Sequence, residues 1–201
     1  MELMARYEDN YFDLAIVDPP YGDNCNLKGG SSHSGKNGWS GKLAKTDKWN
    51  IEPNKEYFKE LFRVSKNQII WGANHFISKM PYSSSCWLIW DKGQRNFSLA
   101  DGEMAWTSFK KAMRIFTYAR AKALQEGKIH PTQKPVKLYE WLLQNYAKEG
   151  YKILDTHLGS GSIAIACHNL GFELTACEID TEYYKEAMKR IEQHKAQLTM
   201  F

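Results

Sequence analysis

The feature that most constrains this chain is an apolar run that cannot continue. Phe12-Asp13-Leu14-Ala15-Ile16-Val17 has the length of a buried strand, and Asp18-Pro19-Pro20-Tyr21 stops it. Two successive prolines remove two backbone donors and disfavour helical geometry, so the chain must turn sharply where the strand ends. Residues 22–50 then carry Gly, Ser, Lys and Asn with little apolar periodicity, which reads as a long loop.

Beyond that loop, strand and helix signals alternate. Asn54 is placed to cap a helix over 55–64 with Phe58, Leu61 and Phe62 on one face, and Gln68–Trp71 reads as a strand closed by Gly72. Cys86–Trp90 is a second buried run ending at Asp91. Residues 103–109 and 112–118 read as two strands joined by a Lys110-Lys111 turn. Pro135 suits the first turn of a helix reaching about Lys148, and Tyr151–Leu154 is a strand ending on Asp155. Ile163, Ala166, Cys167 and Leu170 have helical spacing before Gly171. Glu173–Cys177 is a further strand, and a last helix shows Tyr184, Ala187, Met188 and Ile191 on one face. This alternation predicts an α/β domain with a mostly parallel sheet of Rossmann type, and 201 residues suffice for one such domain.

Composition narrows the setting. No stretch approaches the roughly 20 apolar residues of a membrane span, and the N-terminus lacks a secretory layout. Cys25, Cys86, Cys167 and Cys177 show no metal-binding spacing, so reduced thiols in a cytoplasm and no metal are expected. The net charge of +4 is unevenly spread: Lys110, Lys111, Arg114, Arg120, Lys122, Lys128, Lys134 and Lys137 are opposed only by Glu126. A second stretch runs through Lys28, Lys36, Lys42, Lys45 and Lys48. Such runs are usually solvated faces. Flanking the motifs below, they are candidates for phosphate contact.

Two further landmarks follow the first. Ile129-His130-Pro131-Thr132-Gln133-Lys134-Pro135 precedes a helix, and Asp155-Thr156-His157-Leu158-Gly159-Ser160-Gly161-Ser162 joins a strand to a helix. Glycines there permit a tight turn and close backbone approach by a ligand. Glu178 stands 23 residues after Asp155, where an acid can accept hydrogen bonds from ribose hydroxyls. Turn and acid together point to an adenosine-containing ligand. A P-loop is excluded because no Gly-Lys-Ser/Thr follows, and the dinucleotide fingerprint is broken at Ala164.

With Asp18–Tyr21, His130–Pro135 and Asp155–Ser162 in that order, the chain resembles the amino-methyltransferases of DNA over essentially its whole length. It is most similar to the permuted subgroup that places the catalytic half before the cofactor half. The resemblance implies a Rossmann-like class I methyltransferase fold with an antiparallel hairpin in its sheet. S-adenosylmethionine is the implied donor, and N6 of a flipped adenine in DNA the implied acceptor. Asp18, Pro19, Pro20 and Tyr21 are the implied catalytic residues. His130, Pro131, Thr132 and Lys134 would meet the methionine end of the donor, with Asp155, His157, Gly159, Ser160, Gly161, Ser162 and Glu178 completing its site. The DNA-contact candidates are Lys42, Lys45, Lys110, Lys111, Arg114, Arg120 and Lys122.

The chemistry of these residues agrees. The adenine amine is a poor nucleophile because its lone pair is delocalised, so a site that methylates it must accept hydrogen bonds from both N–H groups. An ionised Asp18 and the Pro19 carbonyl are such acceptors, and Tyr21 offers a face for an extruded base. Positioning supplies most of the catalysis.

The resemblance divides the single domain into a catalytic half (1–92), a short target-recognition segment (93–128) and a donor-binding half (129–201). It also implies a homodimer and a cognate restriction nuclease, in a bacterial or phage setting. Relatives carry a strand before the Asp-Pro-Pro-Tyr strand, ending in an acid that reaches the donor's adenine. Here Met1–Met4 resembles the helix after it, so one strand is expected to be missing at this end of the sheet, or the start to be truncated. His157 stands where phenylalanine is common and reads as packing. Cytosine N4 is the alternative acceptor, although those relatives more often have Ser at the position of Asp18. A DNA-binding remnant without donor binding is a second alternative. An RNA or protein substrate is a third, less fitting because those relatives show Asn there.

Overall fold

The computed structural model describes residues 1–22, 50–96, 100–125, 127, 129–130 and 132–198. The expected loop apart from its two ends, together with Lys42, Lys45 and Pro131, lies outside these residues.

Among the described residues, seven strands form one sheet: β1 (Phe12–Val17), β2 (Ser65–Trp71), β3 (Leu88–Asp91), β4 (Gly102–Thr107), β5 (Arg114–Thr117), β6 (Lys152–Asp155) and β7 (Glu173–Ala176). Their order is β5-β3-β4-β2-β1-β6-β7. The helices are α1 (Lys55–Val64), α2 (Arg120–Gln125), α3 (Val136–Tyr146), α4 (Ser162–Leu170) and α5 (Thr181–Leu198). The Asn54 side chain caps α1 by accepting from Tyr57 N–H at 2.9 Å, as its position predicted.

Only β4 is antiparallel to its neighbours; every other pairing is parallel. All strands but β4 therefore finish at one rim of the sheet, and β4 starts there. The two strands expected over 103–109 and 112–118 are present as β4 and β5, but they do not pair with each other. Strand β4 lies between β3 and β2, and its hairpin partner is β3, while β5 passes to the far side of β3. The Lys110-Lys111 turn is thus a crossover. The last helix also differs from expectation: Tyr183, Ala187 and Ile191 are buried, at i, i+4, i+8, whereas Tyr184 is 45% exposed.

Apolar side chains alternate to the two faces of the sheet and build a core on each. Leu14, Ile16, Ile69, Trp71, Leu88 and Trp90 pack with α3, α4 and Ala187 of α5. Phe12, Ala15, Val17, Ile70 and Trp106 pack with α1 and Met4. Among the described residues no strand precedes β1, the chain opening on a 3-10 turn at Met4–Arg6, and β7 is the sheet edge. No described helix is long and apolar enough to cross a membrane.

This topology locates a site. From β1 the chain passes through α1 to β2 on one side, and from β6 through α4 to β7 on the other. Strands β1 and β6 are adjacent and parallel. The crevice at their C-terminal ends is therefore a switch point of the sheet, where open α/β sheets bind ligands. Asp18–Tyr21 and Asp155–Ser162 are the turns that leave those two ends.

Candidate active site

The turn after β1 is held by charge. Pro19 is buried and Pro20 half-buried, so the turn has little freedom. Tyr21 Oη donates to Asp18 Oδ1 at 2.8 Å, and Lys134 Nζ lies 2.5 Å from Asp18 Oδ2. Lys134 arrives from the segment before α3, and its side chain is only 1% exposed. A buried ammonium needs compensation on every open side. A second carboxylate supplies it: Glu103, near the start of β4, places Oε2 2.9 Å from Lys134 Nζ. Its Oε1 lies 2.7 Å from Lys92 Nζ, just past the end of β3. The Lys134 ammonium also sits 5.3 Å from the Trp71 ring centroid, within cation–π reach. Trp71 Nε1 is the one fully buried side-chain polar atom without a hydrogen-bond partner among the described residues.

Protonation follows from these neighbours. Burial lifts the Asp18 carboxyl above the usual carboxylate range, and Glu103 adds to this, while Lys134 and Tyr21 oppose it. Burial also pushes Glu103 upward, but Lys134 and Lys92 together overcome it and hold that carboxyl at about 2. Burial depresses Lys134, yet the two carboxylates outweigh it and the ammonium stays charged. Burial and both carboxylates raise Tyr21, which remains a donor.

Tyr21 is seated as well as bonded. Its ring stacks on His75 with centroids 4.8 Å apart and planes 17° from parallel. Gly72, just after β2, lies against the same ring at φ +68°, and a Cβ added there would fall 1.9 Å from Tyr21 Cε1. Glycine is required at position 72 both by its left-handed conformation and by the space the tyrosine fills.

The turn after β6 is held by backbone. Asp155 Oδ1 accepts from His157 N–H at 2.9 Å, and Glu178 Oε2 accepts from Gly159 N–H at 2.8 Å. Gly159 and Gly161 take φ +53° and +74°. A Cβ on Gly161 would meet Ile191 of α5 at 3.0 Å. Burial raises Asp155 to about 8, with Asp18 and Glu178 adding to it against the His157 N–H. His157 is lowered by burial to about 4, and its Nδ1 lies 3.0 Å from Thr156 Oγ1. Ser160 and Ser162 are buried with their hydroxyls 3.1 Å apart, and Arg190 donates to Ser162 Oγ at 2.9 Å. His130 packs edge-on against Tyr183 at 4.4 Å, with Thr132 Oγ1 3.2 Å from its Nδ1.

Comparison with known proteins gives the chain a family. Residues 36–189 match the model of the DNA methylase family, the N6 and N4 methyltransferases. The chain belongs to the DNA methylase family. Among curated relatives, the methylase is 27% identical to the type II methyltransferase M2.DpnII of Streptococcus pneumoniae, over 95% of this chain and 86% of that protein. It is 24% identical to the type II methyltransferase M.HpaI of Haemophilus parainfluenzae, over 96% of this chain and 72% of that one. Among solved structures, the M1.HpyAVI–SAM complex superposes with a TM-score of 0.62 at 21% identity, over 94% of this chain and 91% of that one. The cytosine-N4-specific PvuII DNA methyltransferase superposes at 0.59 and 10% identity, over 97% and 87%. The class I methyltransferase fold is common to all these solved structures. Asp18–Tyr21 precedes the span matched by the family model.

Within the methylase, the expected residues do not all gather at one place. Lys134, grouped by resemblance with donor-binding residues, has its ammonium between Asp18 and Glu103. The basic segment is split. Arg120 and Lys122 follow β5 at the rim that carries Asp18, whereas Lys110, Lys111 and Arg114 lie between the end of β4 and the start of β5, at the opposite rim. There Lys111 donates to the Asn145 carbonyl at 3.3 Å, near the far end of α3. Glu103, Lys92, His75 and Arg190 were not anticipated. Partners so distant in sequence leave no local pattern. Ile179, beside Glu178, is 88% exposed and was also missed.

Proposed function

We propose that this chain transfers a methyl group from S-adenosylmethionine to N6 of adenine in DNA, with Asp18 and the Pro19 carbonyl accepting the amine hydrogens. The observation that carries the reading is the placement of an aspartate paired with a buried lysine one strand away from a glycine turn, across the crevice between β1 and β6. The residues of the second turn suit the donor. Positive-φ glycines give it a tight turn, Glu178 presents a carboxylate just past β7, and Ile179 offers an exposed apolar surface for a base. Glu178 already accepts from Gly159 and Asp180 N–H groups, leaving further lone pairs for ribose hydroxyls. Bound there, the donor supplies an electrophilic methyl group on a sulfonium. The SAM named in the M1.HpyAVI structure and the type II methyltransferase names of the relatives support the same donor and substrate.

The chain's own residues do the rest. Asp18 orients the amine and disperses positive charge that develops on its nitrogen. Tyr21 and Lys134 hold the carboxylate in place, and the prolines hold the turn. On this reading 1–92 carry the chemistry and 129–201 the donor. Recognition falls to the rim portions of 93–128, since β4 lies in the sheet interior.

The test is incubation of the full chain with labelled donor and duplex DNA, followed by nucleoside mass analysis. N6-methyladenine is the expected product. N4-methylcytosine would move the acceptor to cytosine, and no labelled base from a folded, donor-binding protein would sink the reading.

A further inference from the structure

The charge chain at the rim extends further than Asp18 alone requires. One counter-ion, Lys134 at 2.5 Å, already meets that carboxylate. Yet Lys134 is shared with Glu103 at 2.9 Å, and Glu103 is in turn held by Lys92 at 2.7 Å. The four groups come from three places: the turn after β1, the segment before α3, and the two arms of the β3–β4 hairpin. Lys134 is too buried to exchange a carboxylate for water, so its position is set by the competition between Asp18 and Glu103. A carboxylate bound by an unshared ammonium is easy to ionise but a weakened acceptor. One whose ammonium is drawn elsewhere is a stronger acceptor but harder to ionise.

We propose that Glu103, itself held by Lys92, is a positioning residue that shares Lys134 with Asp18 and so sets how strongly Asp18 accepts the target amine. This rests on the methyl-transfer reading above. The charged and titratable groups around Asp18 are Tyr21 of its own turn, Lys134, Glu103 of β4, Tyr139 of α3 and Asp155 at the end of β6. Those around Glu103 are Lys134, Lys92, Asp18, Tyr21 and Tyr139. The arrangement predicts opposite consequences at its two ends. Without the Glu103 charge, Lys134 belongs to Asp18 alone and the aspartate ionises more readily. Without the Lys92 charge, Glu103 draws Lys134 harder and Asp18 ionises less readily.

The experiment compares wild type, Glu103→Gln and Lys92→Met as full chains. It measures kcat against pH at saturating S-adenosylmethionine and duplex DNA. In Glu103→Gln the acid limb is expected to move to lower pH by about one unit, with plateau kcat down about tenfold. In Lys92→Met the acid limb is expected to move the other way. Donor affinity by calorimetry is expected to stay at the wild-type level in both. Limbs that stay in place, or move in the same direction, overturn the proposal, because a merely structural salt bridge lowers stability without ordered shifts of opposite sign. If Glu103→Gln does not fold, the upward shift in Lys92→Met decides alone. The same ordering can be read from the Asp18 carboxyl 13C resonance in a pH titration, which needs no turnover. An inactive wild type therefore counts against the functional reading, while the titration still decides this one.

Discussion

Two aspartates leave adjacent parallel strands at the same rim, and their surroundings make them different groups. Asp18 is met by an ammonium and a phenol, while Asp155 is met by a backbone N–H from its own turn. Burial raises both carboxyls. Only Asp18 has a buried lysine in contact to offset it, and Asp155 is carried to about 8. The turns around them follow suit: prolines and side chains stiffen the first, glycines and backbone hydrogen bonds shape the second. One residue type at equivalent places thus serves charge in one turn and shape in the other, and the environment decides which.

That contrast can be broken by substitution. The largest effect is expected from Asp18→Ala, with kcat down about 10²–10³-fold while the far-UV CD spectrum and donor affinity are kept. A variant retaining wild-type kcat would end the division of labour between the turns. Next comes Gly72→Ala, which combines a left-handed backbone with a Cβ 1.9 Å from the Tyr21 ring. Urea unfolding should show a loss of about 1–3 kcal/mol, together with slower methyl transfer as Tyr21 is displaced.

Asp155→Asn sharpens the electrostatic side. The native carboxyl titrates near 8, far above its unfolded value, so the folded state holds a proton that the unfolded state has released. Stability without donor should therefore fall in wild type as pH rises from about 4 to about 8. The variant should lose that slope and gain on wild type toward the alkaline end, as followed by urea midpoints across the range. Parallel pH curves would mean that Asp155 is not the buried acid described here. The smallest effect is expected from His157→Phe. Burial keeps this histidine neutral at ordinary pH, and the change gives up one hydrogen bond to Thr156, about 0.5–1.5 kcal/mol in a melt.

The two turns were unequally legible. Both motifs stood in the sequence, since a Pro-Pro stop after an apolar run and a Gly-Ser-Gly turn before a helical pattern are local signals. Strand and helix positions were likewise local and hold to within a few residues. Partnership was not. Lys110-Lys111 looks like a hairpin turn whichever strand β5 joins, and nothing between 103 and 118 states that β3 separates β4 from β5. The contact of Lys134 with Asp18 spans most of the chain and so left no local sign. Gly72 was visible, but its need for glycine exists only once Tyr21 lies over it.

The pairing of β1 with β6 has a consequence for how the molecule comes into being. Leu14 meets Ile153 across the sheet, so the crevice closes one of the longest loops the chain can make. Contacts of such range are costly in chain entropy and tend to form late. During synthesis the first strand and its Asp-Pro-Pro-Tyr turn emerge early but have no partner on that side until the last quarter of the chain follows. An interrupted product ending before β6 would carry the Asp18–Lys134–Glu103 cluster yet lack the strand that walls the crevice beside it.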